Sequence, residues 1–260
     1  MSCGAGETGE PFFGMRTDGT RFSGALVDLV AGRQVVFRRG DKSVQVPWDQ
    51  LVVWGAYRDR YQGTQLLLAD GSRLVAELLR IEAGRVTVAG RTWAETAIPI
   101  SAIRAVVMQL PAGCLERDLL CERLQAMQPA QDRLVLGNGD QLDGQLVTPV
   151  RLEAGEFNPT TIQWRMEDGG AAVPIRLDRV VAIVPRHANG MARSSSRAGI
   201  VVGWRDGSRL YANQVTRQGG ALDVQLGGAV RLKTEPTAGG ENPWHDVVFI
   251  QPMNTQVVYL

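Results

Sequence analysis

The side chains able to do chemistry in this chain are few and poorly matched to one another. The histidines are His187 and His245 and the cysteines Cys3, Cys114 and Cys121. None of these stands at the short paired spacings that set ligands around a zinc ion, so no metal or cofactor is expected. Cys114 and Cys121 are seven apart in a stretch that reads as helix. At ~1.5 Å rise per residue they lie about 10 Å apart, beyond the roughly 7 Å reach of a disulfide, and they read as packing residues. No Gly-x-Ser-x-Gly elbow is present, and Ser194, Ser195 and Ser196 fall in a Ser/Arg/Gly/Asn-rich stretch that lacks the fixed geometry of an activated nucleophile. Acid–base work would fall to Asp140 and Asp143 with Glu153 and Glu156, if a cleft between domains brought them together. Gly137-Asn138-Gly139 is followed by strand rather than helix and reads as a hairpin turn, not a phosphate loop.

Recognition is better supplied. Trp48 and Trp244 each directly follow a proline in matching turns, a place held by Ile100 and Ile175 elsewhere. Replacement by an aliphatic points to a plug at the end of a small sheet; exposed, the two rings would stack on sugars or peptide side chains. His245, beside Asp246, reads as a turn residue capping backbone groups, or as a cation contact. Trp48, Trp244 and His245 are thus the expected ligand-binding residues, and no catalytic residue is expected.

The elements that must position them are announced by four hairpin turns: Asp18-Gly19, Asp70-Gly71, Asn138-Gly139 and Asp206-Gly207. Counting from each glycine, the third residue is apolar (Phe22, Leu74, Leu142, Leu210). The fifth is very small (Gly24, Ala76, Gly144, Ala212) and the eighth is apolar again (Val27, Leu79, Val147, Val215). Asx-Gly at such a turn predicts a type I′ hairpin, and a small residue mid-strand predicts a bend through which one strand serves two sheets. Each copy then reads as five strands with a proline-led 3₁₀ turn before the last. Turn glycine and proline are 28 residues apart in the first two copies, 35 and 36 in the last two. Between copies two and three, Leu115, Leu119, Leu120, Leu124 and Met127 mark one face of an amphipathic helix over Cys114–Met127.

The sequence therefore predicts an all-β chain of four tandem five-stranded small barrels, 12–57, 64–109, 132–185 and 200–252, with one connecting helix inside 110–131. Units of this size bury too little surface to be robust alone. The length classes predict pairing of the first copy with the second and the third with the fourth. Residues 1–11 read as a flexible start, 186–199, with Arg186, Arg193 and Arg197, as a flexible linker, and 253–260 as a lead-in to a further module.

Lys plus Arg number 28 against 27 Asp plus Glu, a net charge of +1, so no long-range field draws in nucleic acid or an anionic membrane. Hydrophobic content of 44% suffices for real cores, and no apolar run reaches the ~20 residues of a membrane helix. The first ten residues carry no secretory signal. The expected compartment is the cytoplasm, or the cell envelope or exterior if a leader has been removed.

The five-strand order, the bent second strand and the short turn before the last strand resemble the SH3-like and Sm-like small barrels. Asp70-Gly71-Ser72-Arg73-Leu74 through Ile98-Pro99-Ile100-Ser101-Ala102-Ile103 resembles a repeat of bacterial multidomain proteins that often precedes a carbohydrate-binding module of the NPCBM class. Thr255-Gln256-Val257-Val258-Tyr259-Leu260 is similar to the lead-in of that module. The resemblance implies a non-enzymatic binding or scaffold region of a larger protein, with a protein or glycan partner. The alternatives are a hydrolase with an interdomain acidic site (Asp140, Asp143, Glu153) and Sm-like nucleic-acid binding. The neutral charge argues against the last.

Overall fold

The computed structural model describes residues 12–30, 34–59, 63–82, 84–147, 150–151, 161–166, 169–186, 199–227, 230–236 and 242–253. It is mostly β, built of antiparallel ladders, with one α-helix among the described residues. Copy one holds β1 (Phe13–Arg16), β2 (Arg21–Ser23), β3 (Ala25–Val30), β4 (Gln34–Arg39), β5 (Lys42–Pro47), a 3₁₀ turn (Trp48–Gln50) and β6 (Leu51–Gly55). Copy two repeats this as β7 (Gln65–Leu68), β8 (Arg73–Val75), β9 (Glu77–Glu82), β10 (Arg85–Ala89), β11 (Thr96–Pro99), a 3₁₀ turn (Ile100–Ala102) and β12 (Ile103–Val107). After helix α1 (Cys114–Ala126), copy three holds β13 (Asp132–Leu136), β14 (Gln141–Val147), β15 (Val150–Arg151), β16 (Thr161–Met166), β17 (Val173–Arg176), a 3₁₀ turn (Leu177–Arg179) and β18 (Val180–Val184). Copy four comprises β19 (Ile200–Trp204), β20 (Arg209–Gln218), β21 (Ala221–Leu226), β22 (Arg231–Lys233) and β23 (Val247–Pro252).

The four Asx-Gly turns are the same object four times. Each glycine amide donates to the carbonyl three residues back, on Arg16, Leu68, Leu136 and Trp204, at 2.9–3.1 Å. Those same four residues donate their amides to the carbonyls of Thr20, Ser72, Asp140 and Ser208. The Asx side chain accepts from that residue's amide in every copy, at 2.7–3.1 Å. This closes a three-residue loop whose glycine sits at φ between +81° and +97°, a type I turn with a G1 bulge rather than the predicted two-residue type I′ loop. The side-chain acceptor stabilises the tight turn, and glycine meets the left-handed angle at no steric cost. The loop is tied to the far end of its own copy: Thr17, Ala69, Gly137 and Arg205 donate their amides to the carbonyls of Gln50, Ala102, Arg179 and Asp246.

Within each copy the ladder order is strand five, one, two, three, four. The small fifth residue is the hand-over point. Gly144 pairs with Asp132 on one side and Met166 on the other, and Ala212 pairs with both Ile200 and Leu226. A Cβ on Gly24 would press at 3.2 Å on both the Arg38 carbonyl and the Phe37 Cβ, and one on Gly144 would drive into the Arg165 carbonyl and the Trp164 ring. No ladder joins strand four to strand five among the described residues. Each copy is therefore a bent open sheet rather than the closed barrel expected from the sequence; in copies one to three a 3₁₀ turn separates the two strands, whereas in copy four residues 243–246 form a hydrogen-bonded turn in place of the expected 3₁₀ turn.

Two compact units result, residues 1–60 with 195–260 and residues 61–194. The first joins copy one to copy four, the second joins copy two to copy three, which overturns the pairing inferred from length classes. Within each unit, strand five of one copy pairs antiparallel with strand five of its mate. The registers are Trp54↔Ile250 with Gly55↔Phe249, and Val106↔Ile183 with Val107↔Ala182. In both seams the fourth residue of strand five faces the fourth residue of its counterpart, a local two-fold relation. A second tie reinforces each: β15 pairs with β9 in one unit, and in the other the Asn242 side-chain amide donates to the Leu26 carbonyl at 2.8 Å.

Two details of the sequence reading are corrected. In copy three Arg176, not Pro174, precedes the 3₁₀ turn, so Leu177 rather than Ile175 stands where Trp48 does. Pro174 lies within β17, which pairs only with β16 among the described residues, and an edge strand tolerates a missing amide donor. The helix matches its predicted span to one residue, but its buried side differs. Leu120, Cys121 and Leu124 pack on Leu67, Ala105, Val107, Val135, Ala182 and Val184, whereas Leu115 and Leu119 are 68% and 57% exposed. Arg117 lies inside instead, 2% exposed, donating to the carbonyls of Pro111 and Ala112 at 3.2 and 2.7 Å. Carbonyls ahead of a helix need a donor when buried, and a guanidinium supplies several. Cys121 carries a buried thiol outside any disulfide, so it is not joined to Cys114, as the distance argument requires; Cys114 itself is disulfide-bonded rather than the simple packing residue expected.

Candidate functional site

In copy four the long strand β20 continues past Ala212 into a second sheet with β21 and β22. Successive side chains of a strand point to opposite faces. One face carries Val215, Val224 and Leu232, all at most 5% exposed. The other carries Gln214, Thr216 and Gln218 on β20 and Asp223 and Gln225 on β21, with Gln214 opposite Gln225 and Thr216 opposite Asp223. On β22, Arg231 stands opposite Gln225. Gly219, at φ +62°, turns the chain between β20 and β21. Leu222 and Thr234 exchange hydrogen bonds, side-chain hydroxyl and backbone, both 2.9 Å, which pins β22 in place.

These residues, with Val230, line a cavity of about 410 Å³. Asp223 is 4% exposed and is held by the Arg231 guanidinium, whose Nε donates to both carboxylate oxygens at 2.7 and 2.8 Å while a terminal nitrogen also reaches Oδ2. Those hydrogen bonds, reinforced by the carboxylate's charge, raise the Arg231 pKa above its ordinary value. The groove thus contains one fixed, internally neutralised ion pair beside three carboxamides and a hydroxyl. Carboxamides donate and accept at once, so the surface is equipped to exchange hydrogen bonds in both directions with a polar ligand.

The residues singled out from sequence lie elsewhere. Trp244 is 1% exposed and presents no ring face to solvent; Trp48 is half-buried. His245 is exposed, with Nδ1 3.1 Å from the Asn242 carbonyl and Nε2 3.3 Å from Asp246 Oδ1. Asn242 also accepts from the Trp244 amide at 3.2 Å and the His245 amide at 3.0 Å. This segment is therefore organised as a turn that locks copy four to copy one. Trp54, Trp93, Trp164 and Trp204 are all buried.

Two carboxylates of the hydrolase alternative, Asp140 and Asp143, are committed locally. Asp140 accepts from the Asn138 side chain at 2.6 Å at a hairpin tip. Asp143 is gripped by Arg133 at 2.5 and 2.7 Å, and these bonds lower its pKa, which suits an ion-pair partner better than a general acid. No group of three or more His, Cys, Asp or Glu able to hold a metal occurs among the described residues. Cys3, Glu153, Glu156, His187, Arg193, Ser194, Ser195, Ser196, Arg197 and the 255–260 segment lie outside the described residues. Sequence reasoning missed the groove, although its signal was there: Gln214-Val215-Thr216 and Leu222-Asp223-Val224-Gln225 alternate polar with apolar at strand period. No family model, curated protein or solved structure matches the chain.

Proposed function

We propose that this chain is a non-enzymatic binding and scaffold region of a larger bacterial protein, its four copies being SH3-like/Sm-like units that bind a protein or glycan and position a carbohydrate-binding module. The observation that carries the reading is the copy-four groove, a sheet face of hydrogen-bonding side chains set around an already satisfied ion pair. Such a surface recognises by complementarity and leaves no group poised to take or give a proton. The seams support the scaffold part: copies joined strand to strand, with a second tie, form stiff spacers rather than independently tumbling beads.

The test is a titration of the full chain against panels of oligosaccharides, peptides and oligoribonucleotides, followed by NMR for binding and by mass spectrometry for conversion. Saturable binding of an unchanged oligosaccharide or peptide is the expected result. Turnover abolished by a single substitution, at Asp143 for example, would replace this reading with the hydrolase alternative.

A further inference from the structure

Resting on that binding reading, we infer that the groove formed by β20, β21 and β22 takes a neutral oligosaccharide. Its lining is Gln214, Thr216, Gln218, Asp223, Gln225 and Arg231, with Val230 the one apolar contributor. An apolar ligand would strip water from these groups and return nothing, a cost that disfavours it strongly. The lining itself carries no net charge to answer a strongly charged ligand, because Asp223 and Arg231 neutralise each other at hydrogen-bond distance; Lys233, opposite Asp223 on the same face, is not part of the lining. Neighbouring strands lie ~4.8 Å apart and alternate residues of one strand about 7 Å apart. Donors and acceptors are therefore displayed on a grid, which suits a ligand carrying hydroxyls all along its length, each able to donate and accept.

An extended peptide is the competing occupant. It gains most of its affinity from main-chain bonds to an open strand edge, whereas the groups lining the groove are side chains on a sheet face whose central strand, β21, is paired on both sides. The groove offers side-chain groups on a sheet face, and these match hydroxyls better than a backbone. The ion pair has a separate role: the exposed Arg231, held by its hydrogen bonds to the buried Asp223, ties β22 to β21, so the neighbouring carboxamides are presented in place.

The experiment uses the full chain with cellohexaose, xylohexaose and mannohexaose as neutral probes, hexagalacturonate as the acidic comparator and a Ser/Gln-rich hexapeptide as the peptide comparator. Binding is read by isothermal titration and by amide shifts. At least one neutral probe is expected to bind and to shift β20–β22 resonances. Gln214→Ala and Gln225→Ala should each weaken it about 3–10-fold, the range of one lost hydrogen bond. Affinity should be unchanged between low and high salt, since no net charge is involved. Both residues are exposed, so unchanged thermal melts will show that the variants fold. No neutral binding, neutral binding indifferent to both variants, or preference for hexagalacturonate would overturn the inference. Peptide binding in the groove would overturn it while leaving the binding reading standing. Cleavage of a bound neutral probe would overturn the non-enzymatic reading and keep the ligand class.

Discussion

The two units use one seam and cover it in two ways. In the unit of copies two and three, the face carrying Leu67, Ala105, Val107, Ala182 and Val135 lies beneath α1, and all five are at most 1% exposed. In the unit of copies one and four, the same register places Met15, Val53, Gly55, Phe249 and Gly203 on the corresponding face. No helix lies there among the described residues. Tyr57 lies there instead, its ring 6.3 Å from that of Phe249 and so close to Gly203 that a Cβ would meet it at 2.9 Å. Its hydroxyl donates to the Gly207 carbonyl at 2.8 Å, and Arg209 stands over its ring. Met15, Val53 and Phe249 remain half-buried. Small residues at Ala105 and Ala182 admit a helix; larger ones at Val53 and Phe249 partly cover themselves. Strand pairing is thus the shared device, and the cover is the variable one.

The comparison can be broken most severely at the helix. Leu124→Ala removes a fully buried side chain from the cover and should cost about 2–5 kcal/mol. Hydrogen exchange on the full chain should show residues 61–194 losing protection while the other unit keeps it. Equal loss in both units would mean they do not respond separately. Gly55→Ala attacks the other seam, because the residue sits at φ +77° and a Cβ would collide with the Val248 carbonyl. A loss of about 1–3 kcal/mol is expected, read as a lower denaturant midpoint and faster exchange in β6 and β23.

Tyr57→Phe keeps the ring and deletes one hydrogen bond, for about 1 kcal/mol; Tyr57→Ala should cost more, and the difference measures the ring as cover. The smallest effect concerns Arg133 and Asp143. Hydrogen bonds from Arg133 depress the folded pKa of Asp143, so the pair's stabilisation is present above the unfolded carboxylate pKa and is lost as pH falls through the depressed one. After solvent screening, Asp143→Asn should cost on the order of 0.5 kcal/mol at neutral pH. The gap from wild type should close on acidification. A gap that persists in acid would assign the effect to packing.

The hairpins, the strand order, the mid-strand hand-over and the helix span were legible because each is written in local residue types. Asx-Gly sets a turn wherever it occurs, and a very small residue marks a bend regardless of context. Partnership between copies was not legible. The seam joins strands far apart in sequence, and nothing in Leu51–Gly55 names Val247–Pro252 as its mate. Spacing from turn to proline reported loop length, which is independent of who pairs with whom. The wrong helix face has a similar origin: hydrophobicity put Leu115 and Leu119 inside, but the carbonyls of Pro111 and Ala112 needed donors, and Arg117 took the inner position. Trp48 and Trp244 drew attention as rings, while the groove is written in glutamines that read as ordinary surface.

The pairing of the first copy with the last has a consequence for biosynthesis. A ribosome releases copies two and three as a contiguous stretch that can consolidate at once, whereas copy one must wait with one edge of β6 open, β1 covering the other, until β23 emerges. During that wait an open strand edge is exposed to other nascent chains, the situation in which intermolecular strand exchange begins. Slower translation through the last copy should therefore lengthen the vulnerable period and raise the demand for chaperones.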